Sequence, residues 1–175
     1  MKPSERTEIQ ASQTNRRLPD FLGLGGMRCG STTLWHMLNT QPDIFLPSKK
    51  ELHYFDNKDG LWDEGLAAYQ AFFENASPNQ LCGEVTPDYL GYPPCCERIH
   101  DLLPHSKFLV VLRDPVKRAW SHYWLSVNWG GETRSFREAI ELEAVRLQKG
   151  DIYSDVAFAY LSRGRYVEHL QRYET

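Results

Sequence analysis

A short apolar run, Phe21-Leu22-Gly23-Leu24-Gly25, leads into a glycine-rich turn, Gly26-Met27-Arg28-Cys29-Gly30-Ser31-Thr32-Thr33, and then into a stretch with Leu34, Met37 and Leu38 at helical spacing. Strand, glycine turn and helix in that order constrain this chain more than any other segment. The strand needs neighbours that bury it, and the turn leaves the first N–H groups of the helix facing outward, with the helix dipole behind them, ready for an anion. The helix is predicted over Ser31–Asn39, ending before Pro42. The spacing nearly matches the nucleotide-binding loop G-x-x-x-x-G-K-[ST], but Ser31 stands where that loop has its lysine, and the cation is Arg28, inside the loop. This counts against an ATP- or GTP-hydrolysing loop. On the glycines alone, a plain tight turn with a solvated Arg28 is an equal alternative.

The rest of the chain alternates in the same manner. Strands are predicted at 80–86 and 107–112, and helices at 63–74, 93–103, 134–149 and 165–173. The run KFLVVL at 107–112 is apolar at nearly every position, as expected of a parallel strand covered on both faces. Asp114-Pro115 then supplies an N-cap and a proline at the first helical position, opening a helix through Trp129. The pattern predicts an α/β fold: a P-loop-containing three-layer architecture with a central parallel sheet flanked by helices.

A length of 175 residues suits one domain, and a net charge of −3 argues against a nucleic-acid partner, so any anion must be held by local groups. Cys29, Cys82, Cys95 and Cys96 form no C-x-x-C pair and read as buried or bystander thiols rather than a zinc or disulfide framework. Neither an apolar signal segment nor a membrane-length apolar stretch is present. The expectation is a soluble, cytoplasmic protein with a polar, flexible tail at 1–18.

Two further groups of residues carry chemistry. Arg113 leaves the end of the 107–112 strand, where ligands of open α/β sheets bind, and Ser121 lies two turns into the following helix. Together they read as a second phosphate site at some distance from the first, the alternative being an Arg113 paired with a carboxylate and a Ser121 on the helix surface. In Lys49-Lys50-Glu51-Leu52-His53-Tyr54-Phe55, an extended backbone points Glu51 and His53 to one side, a base and a polariser for an acceptor hydroxyl or amine. A charged loop with an aromatic anchor is the plainer reading. Glu84-Val85-Thr86-Pro87-Asp88-Tyr89 ends another strand facing the same crevice.

These motifs, GGMRCGSTTL, KKELHYF, EVTPDYL and LRDPVKRAWSHY, resemble in order those of the sulfotransferases that use 3′-phosphoadenosine 5′-phosphosulfate (PAPS), in the branch of the heparan sulfate sulfotransferases and their bacterial relatives. The resemblance runs from about Phe21 to the end of the chain. It implies that PAPS is the co-substrate and that Arg28, in place of the family's loop lysine, holds the sulfuryl group. Cys29, Gly30, Ser31, Thr32 and Thr33 would form the 5′-phosphosulfate loop, and Arg113 with Ser121 the 3′-phosphate site. Glu51 would be the general base with His53 beside it, and no metal is implied. Val85 departs from the family pattern, since the heparan-modifying relatives carry there a lysine that contacts the acidic polysaccharide.

Family members extend beyond this length, so the resemblance makes 19–175 the N-terminal two-thirds of a sulfotransferase domain, with an incomplete sheet. The expected activity is transfer of a sulfuryl group to a hydroxyl or amine of a carbohydrate or small molecule. A P-loop kinase or NTPase and a non-catalytic nucleotide-binding fragment are the two rival readings.

Overall fold

Four short runs, each with buried or half-buried apolar side chains, pair side by side in parallel. The computed structural model describes residues 17–174. Strand β1 (Phe21–Gly23) lies between β3 (Leu81–Val85) and β4 (Lys107–Leu109), while β2 (Ile44–Phe45) pairs with the far side of β3. The order is β2-β3-β1-β4, with Leu22 opposite Glu84 on one side and Phe108 on the other. Close approach of β1 and β3 rests on Gly83, where an added Cβ would come within 2.1 Å of the Phe21 ring. The α/β architecture and the parallel sheet flanked by helices are as the sequence predicts. β2 has only two residues, too few to leave a pattern.

One expectation about the sheet fails. The 107–112 segment is not covered on both faces: Leu109 is 37% and Leu112 41% exposed. It occupies an edge of the sheet, so strand pairing and packing protect it from one side only. Backbone contacts still continue past β4, with Leu24 N–H bonding Leu109 O at 3.0 Å and Gly26 N–H bonding Val111 O at 2.9 Å. These two bonds carry the chain directly into the glycine loop.

Helix α1 (Ser31–Asn39) forms where expected. The 63–74 pattern instead gives two short helices, α2 (Leu61–Glu64) and α3 (Leu66–Ala71), broken at Gly65. Helices α4 (Asp88–Gly91) and α5 (Pro94–Leu102) follow β3. Helix α6 (Pro115–Asn128) starts as its sequence dictates, with the Asp114 carboxylate accepting the Lys117 N–H at 2.8 Å and proline in the first turn. Helix α7 (Phe136–Arg146) opens on a reciprocal Ser135–Glu138 capping box, and α8 (Ile152–Phe158) and α9 (Tyr166–Gln171) complete the described residues.

The main core gathers Leu22, Leu24, Phe55, Tyr69, Leu90 and Ile99 with their neighbours. Leu18 packs against it, and Arg17 donates to the carbonyls of Ser77 and Gln80, so these two residues belong to the domain rather than to the tail expected at 1–18. The remainder of that tail, residues 1–16, lies outside the described residues. All four cysteines are free thiols, three of them buried. Among the described residues no helix is long and apolar enough to cross a membrane.

Candidate functional site

The glycine loop, the segment before α6 and the Lys49–Phe55 motif meet beyond the carboxyl ends of β1, β3 and β4. They line a cleft of about 430 Å³ that holds Arg28, Gly30, Ser31, Thr32, Glu51, Arg113 and Ser121, with Lys58 and Asp88. Helix α1 opens on Gly30, whose φ of 104° is left-handed and favours glycine. No side chain caps this end and no acidic residue lies in the first turn, so its N–H groups are left for an anion.

Arg28 and Arg113 are exposed and have no carboxylate partner among the described residues, which sets aside the ion-pair alternative for Arg113. An Arg113 Nη donates to the Arg28 carbonyl at 3.3 Å, and Arg28 Nε donates to Ser121 Oγ at 3.0 Å. Arg28 of the glycine loop is thus in direct contact with both Arg113 and Ser121. The reason is geometric: β1 and β4 are sheet neighbours, so the loops leaving them emerge side by side.

The Glu51 segment departs from its prediction. Residues 49–55 form no strand but a bend, an irregular stretch at 51–53 and a turn, and His53 has a left-handed φ of 56°. Glu51 and His53 meet nonetheless, Oε2 to Nε2 at 3.4 Å, and His53 Nδ1 lies 2.8 Å from Asp56 Oδ2. Lys50 Nζ donates to Glu51 Oε1 at 2.7 Å. Burial opposes ionisation of Glu51, but the His53 and Lys50 hydrogen bonds outweigh it and hold the carboxyl below the usual glutamate range. Burial likewise works against a charged His53, yet bonds to Asp56 and Glu51 push it up to about 9. At neutral pH the pair is a carboxylate held by an imidazolium.

Three of the predicted site residues do not line the cleft. Cys29 turns its thiol inward, to Met27 O at 3.8 Å and the Tyr166 hydroxyl at 3.5 Å. Thr33 is exposed on α1 outside the cleft, and His53 is buried behind Glu51.

Asp88, in the 84–89 segment expected to face the crevice, gains partners that the sequence does not signal. Asp88 is bonded by the buried Arg163 guanidinium, which also holds Asp155, and Lys58 Nζ approaches it at 3.7 Å. Burial disfavours its charge, but Arg163 holds the carboxyl below the usual aspartate range. Nothing local in Ser162-Arg163-Gly164 or Asn57-Lys58-Asp59 signals these roles. The fold also joins Glu51 and His53 of one motif to Asp88 of another: side-chain N and O atoms of the three lie within 4.8 Å of one another. Lys50, Lys58 and Arg163 supply positive charge to its two carboxylates.

Exposed tryptophans extend the cleft. Trp129 forms part of its wall, and Trp120 and Trp124 line an adjoining groove of about 350 Å³ that shares Arg28, Arg113 and Ser121. At the carboxyl ends of the parallel sheet the fold thus gathers a lysine-less glycine loop, two arginines without a carboxylate partner among the described residues, and the Glu51–His53 pair.

Comparison with known proteins agrees. No protein-family model matches the chain. A sulfotransferase from Alicyclobacillus acidocaldarius, known from its crystal structure, superposes with a TM-score of 0.77 at 31% identity, over 90% of this chain and 68% of that one. The chain belongs to the sulfotransferase family. Heparan sulfate glucosamine 3-O-sulfotransferase 6 of Mus musculus is 31% identical over 94% of this chain and 45% of its own length. The membrane-associated sulfotransferase kil1 of Dictyostelium discoideum is 36% identical over 64% of this chain and 24% of its own. The chain therefore spans less than half the length of these curated relatives.

Proposed function

We propose that the chain binds PAPS and takes part in transfer of its sulfuryl group to a hydroxyl or amine of a carbohydrate or small-molecule acceptor. The observation that carries this reading is the convergence of the uncapped α1 N-terminus, Arg28, Arg113, Ser121 and Glu51 on one cleft. Two unpaired arginines and a helix N-terminus without acidic residues fit a ligand with two separate anionic groups. The Gly30–Thr32 backbone would hold the 5′-phosphosulfate, with the hydroxyls of Ser31 and Thr32 beside it. Arg113 and Ser121 would hold the 3′-phosphate, and Arg28 stands between the two. The bound co-substrate supplies a sulfuryl group on a phosphate leaving group.

The chain's own residues do the rest. Glu51 is an ionised carboxylate at the cleft wall and accepts the acceptor's proton at one of its oxygens. His53, as imidazolium, fixes the Glu51 orientation and cannot itself be the base at neutral pH. Asp56 holds the far nitrogen of that ring. Arg28 and the loop N–H groups oppose negative charge that grows on the departing side, which in a confined site is a large contribution to rate.

A calorimetric titration tests the binding half: 3′,5′-adenosine bisphosphate should bind without magnesium and more tightly than ATP·Mg²⁺. Preference for ATP·Mg²⁺ would overturn the reading in favour of a P-loop kinase or NTPase, and binding of neither would leave an inert fold. Transfer from labelled PAPS to a panel of neutral and acidic acceptors tests the chemistry.

A further inference from the structure

The segment that carries Glu51 and His53 has no strand or helix to hold it, yet it is buried from Leu52 through Asp56. Its backbone donors must therefore be satisfied by other means. The N–H of Leu52 goes to the Thr86 hydroxyl at 3.2 Å, and those of Tyr54 and Phe55 go to the Tyr89 hydroxyl at 2.9 and 3.4 Å. Both hydroxyls in turn donate to a single carboxylate: Thr86 to Glu84 Oε2 at 2.9 Å, and Tyr89 to the two Glu84 oxygens at 3.2 and 3.3 Å. A third hydroxyl, that of Tyr69, donates to Glu84 Oε1 at 2.6 Å, and the Tyr69 ring stacks on Tyr54 at 4.0 Å between centroids.

A hydroxyl can rotate, and an acceptor that holds its proton fixes the direction in which its lone pairs face. Glu84 engages all three protons. It thereby turns the oxygens of Thr86 and Tyr89 toward the segment and fixes the aromatic ring on which the segment rests. Glu84 is fully enclosed, and burial pushes its carboxyl up to about 7, against the three hydroxyl donors that lower it. A carboxyl in the middle of a core is costly unless it is hydrogen-bonded, and a fully satisfied buried network rigidifies what it touches.

We propose that Glu84 is a positioning residue: through Thr86, Tyr89 and Tyr69 it sets the backbone of the Leu52–Phe55 segment and hence the placement of Glu51 and His53 in the cleft. The consequence for catalysis rests on Glu51 being the base, while the positional effect does not.

The test compares the wild-type chain with Glu84→Gln, Thr86→Val and Tyr89→Phe at pH 8, above the value of about 7 to which burial pushes Glu84. In Thr86→Val the Leu52 amide should exchange about tenfold faster or more, and in Tyr89→Phe those of Tyr54 and Phe55, while Leu22 in β1 keeps its protection. In Glu84→Gln all three amides should loosen and the His53 imidazole resonance and titration should shift. If Glu84→Gln fails to fold, the two hydroxyl variants carry the test. Transfer kcat should fall by about 10²-fold with bisphosphate affinity unchanged, as expected when a base is displaced by a fraction of its working distance. Unchanged exchange at 52, 54 and 55 together with an unmoved His53 would overturn the proposal. A chain without transferase activity would contradict Glu51 as base, and the exchange and resonance readouts would still decide the role of Glu84.

Discussion

The Arg28 guanidinium reaches the Ser121 hydroxyl at 3.0 Å, joining the glycine loop to α6 across 93 residues of sequence. A dianion bound as proposed would meet this contact already formed. Both groups could donate to such a ligand, so its binding would exchange one neutral partner for a charged one rather than build a site from scattered parts.

Replacing Arg113 by alanine removes a cation that no described carboxylate neutralises. Affinity for 3′,5′-adenosine bisphosphate should drop by roughly 10- to 100-fold, the usual worth of a hydrogen bond to a charged group. Isothermal calorimetry on a variant whose circular dichroism matches wild type measures it, and affinity within twofold of wild type would remove Arg113 from the site.

Glu51→Gln keeps shape and loses the proton acceptor. The transfer rate should fall by about 10² to 10⁴, the range for loss of a general base, with bisphosphate binding intact. Retention of full rate would assign the proton to another group.

The pH dependence follows from His53, which is pushed up to about 9 in the folded chain. A group raised on folding contributes stability that is complete below its ordinary value near 6.5 and is lost as pH rises through about 9. Denaturant midpoints should therefore decline between roughly pH 7 and 9 in wild type and decline less in His53→Gln. Transfer should fade over the same window as Glu51 loses its imidazolium partner. A His53 resonance titrating near 6.5 would contradict the ion pair.

Arg163 is 4% exposed and bridges Asp88 at the cleft to Asp155 of α8. Arg163→Met leaves a buried carboxylate without its main partner, and the loss should reach about 3–5 kcal/mol in urea unfolding, as for other broken buried pairs. A cost below 1 kcal/mol would mean that Lys58 alone suffices for Asp88.

Much of this site is readable from residues in order, and the limits have physical causes. The glycine loop stands out because a strand, a turn and a capless helix start coincide within a dozen residues. Arg113 stands out because it follows an apolar run and precedes Asp-Pro. The shape of the Glu51 segment does not, since alternation predicts an extended chain only where a strand neighbour exists, and here the neighbours are the Thr86 and Tyr89 hydroxyls. Contact between Arg28 and Ser121 depends on β1 and β4 being adjacent, which is a property of sheet order. Lys58 and Arg163 reach the cleft through Asp88, a partner distant in sequence that no spacing rule connects to them.

The exposed Leu109, the last residue of β4, and Leu112, three residues beyond it, bear on how the chain behaves in solution. A sheet edge with apolar side chains and unpaired backbone groups is a template for strand addition. A net charge of −3 gives little repulsion against it. Self-association of this chain should therefore begin at that edge, and a lysine at position 109 or 112 is the substitution best placed to suppress it while leaving the cleft untouched.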